Sequence, residues 1–181
     1  MDGSELRCEL ERLHGESFGW ATCCCGADRH RAEDVLQEVY VKVLDGRARY
    51  DGRGSVKTWL FAVIRLTAAD ARRRDLVRRL RLRFYEPTSR EPEPADRSVG
   101  RSEDRDRFRA ALAALPARQQ QVLHLVFYHD LSLAAAADVM GVSLGTARTH
   151  YDRGKKAVRR TLEEDDDATG TRPGAFPGVV L

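Results

Sequence analysis

The sequence predicts an all-helical protein of two small helical domains joined by a flexible linker, and three observations carry that reading. Apolar residues recur at helical spacing from Leu6 to Leu162, whereas the strict alternation of a half-buried strand is absent. A proline- and charge-rich stretch at residues 86–104 divides the chain. Residues 131–156 hold one short helical pattern, a glycine, and a second helical pattern.

Leu6, Leu10 and Leu13, continuing through Phe18, Trp20 and Ala21, predict helix from the start of the chain. A second helix begins near Arg31, where Val35, Leu36, Val39, Tyr40, Val43 and Leu44 form a dense i, i+4 stripe. Asp34, Gln37, Glu38 and Lys42 lie off that stripe. Three glycines (Gly46, Gly52 and Gly54) make Asp45 to Ser55 a loop. A third helix from Val56 buries Trp59, Leu60, Val63, Ile64 and Thr67. It then runs into a basic segment with eight arginines from Arg65 to Arg83.

Pro87, Pro92 and Pro94 sit among charges with almost nothing to bury, so residues 86–104 read as linker. The first domain is therefore residues 1–85 and the second 105–162. The second opens with Phe108, Leu112 and Leu115. A helix started by Pro116 comes next, with Val122, Leu123, Val126 and Phe127 inside. Residues 163–181 begin EEDDD and read as a disordered acidic tail.

The pair of helices at 131–156 carries the chemistry. Leu133, Ala136, Ala137 and Met140 fall at helical spacing, Gly141 supplies a sharp exit, and Ser143 is placed to cap the second helix. On that second helix Leu144, Ala147, Tyr151, Gly154, Val158 and Leu162 share one face. Thr149, Arg153 and Lys156 lie opposite, flanked by Arg148 and His150. An apolar inner face and a basic outer face after a glycine turn make a helix-turn-helix suited to a DNA major groove. An ordinary hairpin with a solvated basic face is the rival. The small residues Ala134 to Ala137, where two helices must cross closely, favour the DNA reading.

The net charge is only +3, but it is unevenly spread. Residues 1–85 carry 17 basic against 13 acidic side chains, and residues 105–162 carry 10 against 4. Residues 86–104 carry 3 against 6, and residues 163–181 carry 1 against 5. Two basic blocks split by an acidic one point to two surfaces facing a polyanion. No apolar run reaches the roughly 20 residues of a membrane span. The acidic, amphipathic N-terminus does not read as a secretion signal, so a cytoplasmic location is expected. No nucleophile with a partnered base, no phosphate-binding glycine loop and no metal constellation is seen, which disfavours an enzyme. No cofactor is implied.

Cys23, Cys24 and Cys25 are consecutive, with Cys8, His14 and His30 nearby. Successive helical residues point about 100° apart, so three in a row do not converge on one ion. Small buried hydrophobes are the favoured reading, ahead of a redox-sensing thiol and a metal site.

Two separated blocks resemble one family. RAEDVLQEVYVKVL, then YDGRGSVKTWLFAVIR and the arginine run, is similar to region 2 of a bacterial RNA polymerase sigma factor. LPARQQQVLHLVFYHDLSLAAAADVMGVSLGTARTHYDRGKKAVR is similar to region 4. Only these two regions with a short acidic linker is the layout of the extracytoplasmic-function (ECF) type. The resemblance implies that the D-x-x-Q-E pattern, Asp34, Gln37 and Glu38, docks on a coiled coil in the largest subunit of core RNA polymerase. It implies −10 capture by Asp51 to Arg65, with Arg53 and Lys57 on phosphates and Arg65 beside them. Arg72, Arg73, Arg74, Arg78 and Arg79 would track phosphates upstream. Trp59 reads either as a base-stacking platform or as core, and its spacing with Leu60, Val63 and Ile64 favours core.

For the −35 element the resemblance nominates Arg148, Thr149, His150 and Arg153, with Lys155, Lys156, Arg118 and Thr146 as backbone contacts. It also implies promoter DNA and an anti-sigma factor as partners, and no membrane. Three departures stand out. Leu66 replaces an asparagine common in the family, which bears on −10 readout. Ala135 and Ala136 stand where a glutamate and an isoleucine are usual. Gly154 inside a helix costs about 1 kcal/mol relative to alanine. A stand-alone helix-turn-helix regulator is the alternative function, and a cysteine-based redox switch a further rival.

Overall fold

The computed structural model describes residues 3–82 and 103–169. Among them lie eight helices and no strand. The first unit comprises α1 (Gly3–Arg12), α2 (His14–Cys24), α3 (Arg29–Leu44) and α4 (Val56–Leu82). The second comprises α5 (Glu103–Ala113), α6 (Ala117–Phe127), α7 (Leu133–Met140) and α8 (Leu144–Thr169). The linker expected at residues 86–104 lies outside the described residues up to 102, and its last two positions open α5.

Local chemistry sets most boundaries. The single N-terminal helix read from the apolar pattern is two helices, broken at Leu13, whose side chain is fully buried. Asp28 caps α3 by accepting from the Arg31 N–H at 2.9 Å. Ser132 caps α7 through the Ala135 N–H at 3.2 Å, and Ser143 caps α8 through the Thr146 N–H at 3.2 Å. Gly141, at φ 63° and ψ 42°, ends α7 in the left-handed conformation, with the Val142 N–H reaching back to the Ala137 carbonyl. Helix α8 extends to Thr169 rather than ending at Leu162, with an Arg160–Glu164 ion pair on its surface. The expected tail is thus helical at its start, and the rest of it lies outside the described residues.

The core of the first unit is Leu10, Leu13, Trp20, Ala21 and Cys24 against Val35, Leu36, Val39 and Val43 of α3 and Leu60, Phe61 and Ile64 of α4. Leu44, placed on the buried stripe by its spacing, is 58% exposed, because its helical angle sets it with Gln37 and Val41 on the outward face. Burial drives the Cys23 thiol up to about 12 and raises Cys24 and Cys25 as well, so all three remain protonated packing groups.

In the second unit Val122, Leu123 and Leu125 of α6 pack with Ala136, Val139 and Met140 of α7 and Ala147, Val158 and Leu162 of α8. Gly154 is where α8 meets α6. A methyl group there would lie 2.9 Å from Leu123 Cδ1 and 3.3 Å from Gln119 Cβ. The glycine that looked like a weak point in the sequence is a packing requirement.

The two units pack together, with α2 against α6 and α4 against α7. Trp20 stacks on Phe61 at 6.0 Å and meets His124 at 5.9 Å across the junction. His129 sets its ring edge against Phe61 at 4.7 Å. Burial, reinforced by His129, drives His124 down to about 3.

This packing has two measurable consequences. Gly154→Ala will lower stability by about 1 kcal/mol in urea denaturation, because overpacking outweighs the gain in helix propensity. Protonation of His124 is favoured in the unfolded chain, so its contribution is complete above about pH 6.5 and is lost as pH falls. Between about pH 7.5 and 5.5 this one group removes about 1.4 kcal/mol, and His124→Leu will flatten the slope of stability against pH.

Candidate nucleic-acid and polymerase interface

Three surfaces collect the residues nominated by the sequence. The first is the outer face of α8. Arg148, Thr149, Arg153 and Lys156 are exposed there, while Ala147, Gly154 and Val158 are buried beneath them. His150 is half-buried at the flank. Thr149 Oγ1 donates to the Gly145 carbonyl at 3.0 Å, leaving its oxygen as an acceptor. Thr146 is exposed at the helix start, its hydroxyl 2.9 Å from Ser143 Oγ. Lys155 lies 5.4 Å over the Tyr151 ring and so leans toward the core side. Leu144, expected on the inner face, is 44% exposed. Arg118 donates to the Met140 carbonyl at 3.4 Å, which ties α6 to the end of α7.

The second surface is the loop before α4 and the helix it feeds. Arg53 is 91% exposed at the loop tip, its charge 3.7 Å from Asp51. Tyr50 donates its hydroxyl to the Gly54 carbonyl at 2.6 Å, and its ring lies 5.5 Å from the half-buried Trp59. Tyr50 braces the loop and was not singled out from the sequence. An aromatic directly before the Asp-Gly-x-Gly turn is the signal that would have found it. Lys57 and Arg65 are engaged elsewhere. Lys57 pairs with Glu16 and donates to the His129 carbonyl, and Arg65 donates to the Val139 carbonyl.

Further along α4 the arginines separate. Arg72 donates to the Cys24 carbonyl, Arg73 pairs with Asp70 at 3.2 Å, and Arg74 reaches Glu38 at 2.7 Å. Arg78 and Arg79 are exposed.

The third surface is the outward face of α3, where Asp34 and Gln37 are exposed and Glu38 is half-buried. Arg74, then Lys42, hold the Glu38 carboxyl below the usual carboxylate range, so it is an anion at neutral pH. Val41 at 44% exposure and Leu44 at 58% continue the same strip one and two turns on. Acidic and amide groups beside bare aliphatics suit a protein partner better than DNA.

Comparison with known proteins decides the family. Residues 12–79 match the Sigma-70 region 2 family and residues 111–160 match Sigma-70, region 4. The ECF RNA polymerase sigma factor SigX of Bacillus subtilis (strain 168) is 30% identical over 142 residues, covering 75% of this chain and 73% of its own. The chain is an ECF sigma factor. SigC, an ECF RNA polymerase sigma factor of Mycobacterium tuberculosis (strain CDC 1551 / Oshkosh), is 30% identical over 150 residues, covering 81% and 78%.

The fold agrees. The sigma factor RpoE of Bartonella quintana, solved in complex with the anti-sigma factor NepR, superposes with a TM-score of 0.71 at 21% identity. That match covers 88% of this chain and 97% of the other. CnrH, solved with the cytosolic domain of CnrY, gives 0.59 at 18%, covering 91% of each. Sigma factors are initiation factors rather than catalysts. In this sigma factor, region 2 is carried by α2 to α4 and region 4 by the end of α5 with α6 to α8. No helix among the described residues is long and apolar enough to cross a membrane.

The α8 surface makes a graded prediction. On a promoter fragment, Arg148→Ala and Arg153→Ala will each cost about 1–3 kcal/mol of discrimination against a scrambled −35 element. Lys156→Ala will weaken binding to both fragments alike and reduce the salt slope by about 1. Fluorescence anisotropy of the holoenzyme across a salt series separates the two behaviours.

Proposed function

We propose that this sigma factor binds core RNA polymerase through the α3 face and directs initiation at promoters by reading two DNA elements. Asp34, Gln37 and Glu38, with the exposed Val41 and Leu44 beside them, would meet the coiled coil of the largest subunit. Arg148, Thr149, His150 and Arg153 would face the −35 bases, with Thr146, Lys156 and Arg118 toward the backbone. The braced loop at Arg53, with Lys57, Trp59 and Arg65, would receive the −10 element, and Arg72 and Arg73 would follow phosphates upstream. Arg74, paired with Glu38, sits nearer the polymerase face.

The observation that carries this reading is the presence in one chain of both regions, in family order, each with its own exposed polar face. A stand-alone regulator would leave the α3 face and the loop before α4 without a role. The protein itself performs no chemistry, uses no cofactor, and acts in the cytoplasm where the polymerase works. An anti-sigma factor is a proposed partner, supported by the complex in which the similar RpoE was solved.

Transcript mapping on genomic DNA with purified core polymerase tests the reading. Wild-type protein is expected to produce initiation at discrete sites. The double variant Asp34→Ala with Glu38→Ala is expected to lose most of it while keeping its helical content. Sequence-specific DNA binding without any initiation would favour the regulator instead.

A further inference from the structure

His124 of α6 and His129 of the turn that follows it set their rings 5.0 Å apart where the two units meet. Their neighbours across the junction are aromatic. Trp20 of α2 lies 5.9 Å from His124 and 6.3 Å from His129, and Phe61 of α4 lies 4.7 Å from His129. Within its own unit His124 stacks on Tyr128 at 4.9 Å. Among the described residues, Nδ1 of His124 and both ring nitrogens of His129 are buried without a hydrogen-bond partner. A buried polar atom left unpaired costs about 1–3 kcal/mol. A phenylalanine would fill either place without that cost, so packing alone does not account for two imidazoles.

The groups around the pair decide what a proton does there. From α2 comes Glu16, 3.5 Å from His129 Nδ1. From α4 comes Lys57, which pairs with Glu16 and donates to the His129 carbonyl at 2.8 Å. Asp130 adjoins His129 in the turn. Glu16 and Asp130 favour a charged His129, and Lys57 opposes it. Among the described residues, the neighbouring charge that bears on His124 is that of His129, which is repulsive. Lys57 holds Glu16 below the usual carboxylate range, so Glu16 stays ionised while a histidine titrates.

Helices α2 and α4 supply the cover over both rings, so in parted units each ring meets water and titrates near the ordinary histidine value of about 6.5. The neutral rings therefore favour the packed arrangement above about pH 6.5, and the parted arrangement takes up protons as pH falls below it. For His124 alone the balance moves toward parting by about tenfold between about pH 7.5 and 5.5.

We propose that this histidine pair makes the junction acid-sensitive: protonation of His124 and His129 loosens α6 from α2 and α4, so the free factor itself responds to a fall in pH. His124 is the principal trigger, because Glu16 stands ready to pair with a protonated His129. The device is independent of which faces meet promoter and polymerase.

The full chain tests this in a Trp59→Phe background, where Trp20 is the only tryptophan. Acrylamide quenching of Trp20 and circular dichroism are read at about pH 7.5 and about pH 5.5, on either side of the histidine range. The double variant His124→Phe with His129→Phe keeps an aromatic ring at each place and removes the titration. With both histidines present, quenching is expected to rise about twofold or more at the lower pH, reversibly and with helical content kept. The double variant is expected to stay flat. Quenching that does not rise, or that rises equally in the double variant, overturns the proposal. A rise accompanied by loss of helix is unfolding rather than parting, and overturns it too. His124→Gln, which keeps a polar group that does not titrate, is expected to lose most of the rise, and a full rise there removes His124 as the trigger. Initiation is tested separately through Asp34 and Glu38.

Discussion

Trp20 buries its indole where α2, α4 and α6 meet, and its single N–H has one destination. It donates to the Phe61 carbonyl at 2.9 Å, inside the wall of α4, while its ring stacks on the Phe61 ring. A buried N–H without an acceptor costs about 1–3 kcal/mol, so this bond fixes the depth and angle at which α2 meets α4. The same ring also meets His124 and His129 of the second unit. One side chain thus sets the register of region 2 and offers the surface on which region 4 rests. The loop before α4, the arginines along it and the contacts of Lys57 and Arg65 with the second unit all take their positions from that placement.

Helix α4 shows how one rigid element divides its labour along its length. Its first turns carry Lys57, its middle buries Leu60, Phe61, Ile64 and Ala68, and its distal half is basic and exposed. Because the middle is clamped by α2 and α3, the two ends cannot move independently. Placing the segment proposed to read DNA on a helix rather than a free loop limits how far its side chains wander. The braced loop at Tyr50 extends the same rigidity to the point where backbone would approach a nucleotide.

Much of this was legible in the sequence because it is local. Capping by Asp28, Ser132 and Ser143 involves residues three positions apart, and Gly141 marks its own turn. The inner face of α8 came from helical angle alone, except at Leu144. The features that escaped were set by distance along the chain. Glu16 meets Lys57 across 41 positions, Lys57 meets His129 across 72, and nothing in the local pattern distinguishes either pair. Leu44 was misplaced because counting i, i+4 steps through Tyr40 drifts off the face that Val35, Val39 and Val43 bury. Gly154 was read through propensity, a property of an isolated helix, whereas its role is set by Leu123 on another helix.

The two basic surfaces differ in a way that net charge hides. On α4 Arg65, Arg72, Arg73 and Arg74 each have an acceptor or a carboxylate within the protein. On α8, among the described residues, Arg148, Arg153 and Lys156 have no ion pair. A cation already satisfied internally must exchange one partner for another when a phosphate arrives, so its net gain is small. A cation held only by water and counterions gains the full release of those ions. On this ground the proposed α8 surface would attract DNA readily, as would Arg53, Arg78 and Arg79 of region 2, whereas Arg65, Arg72, Arg73 and Arg74 would first have to exchange partners.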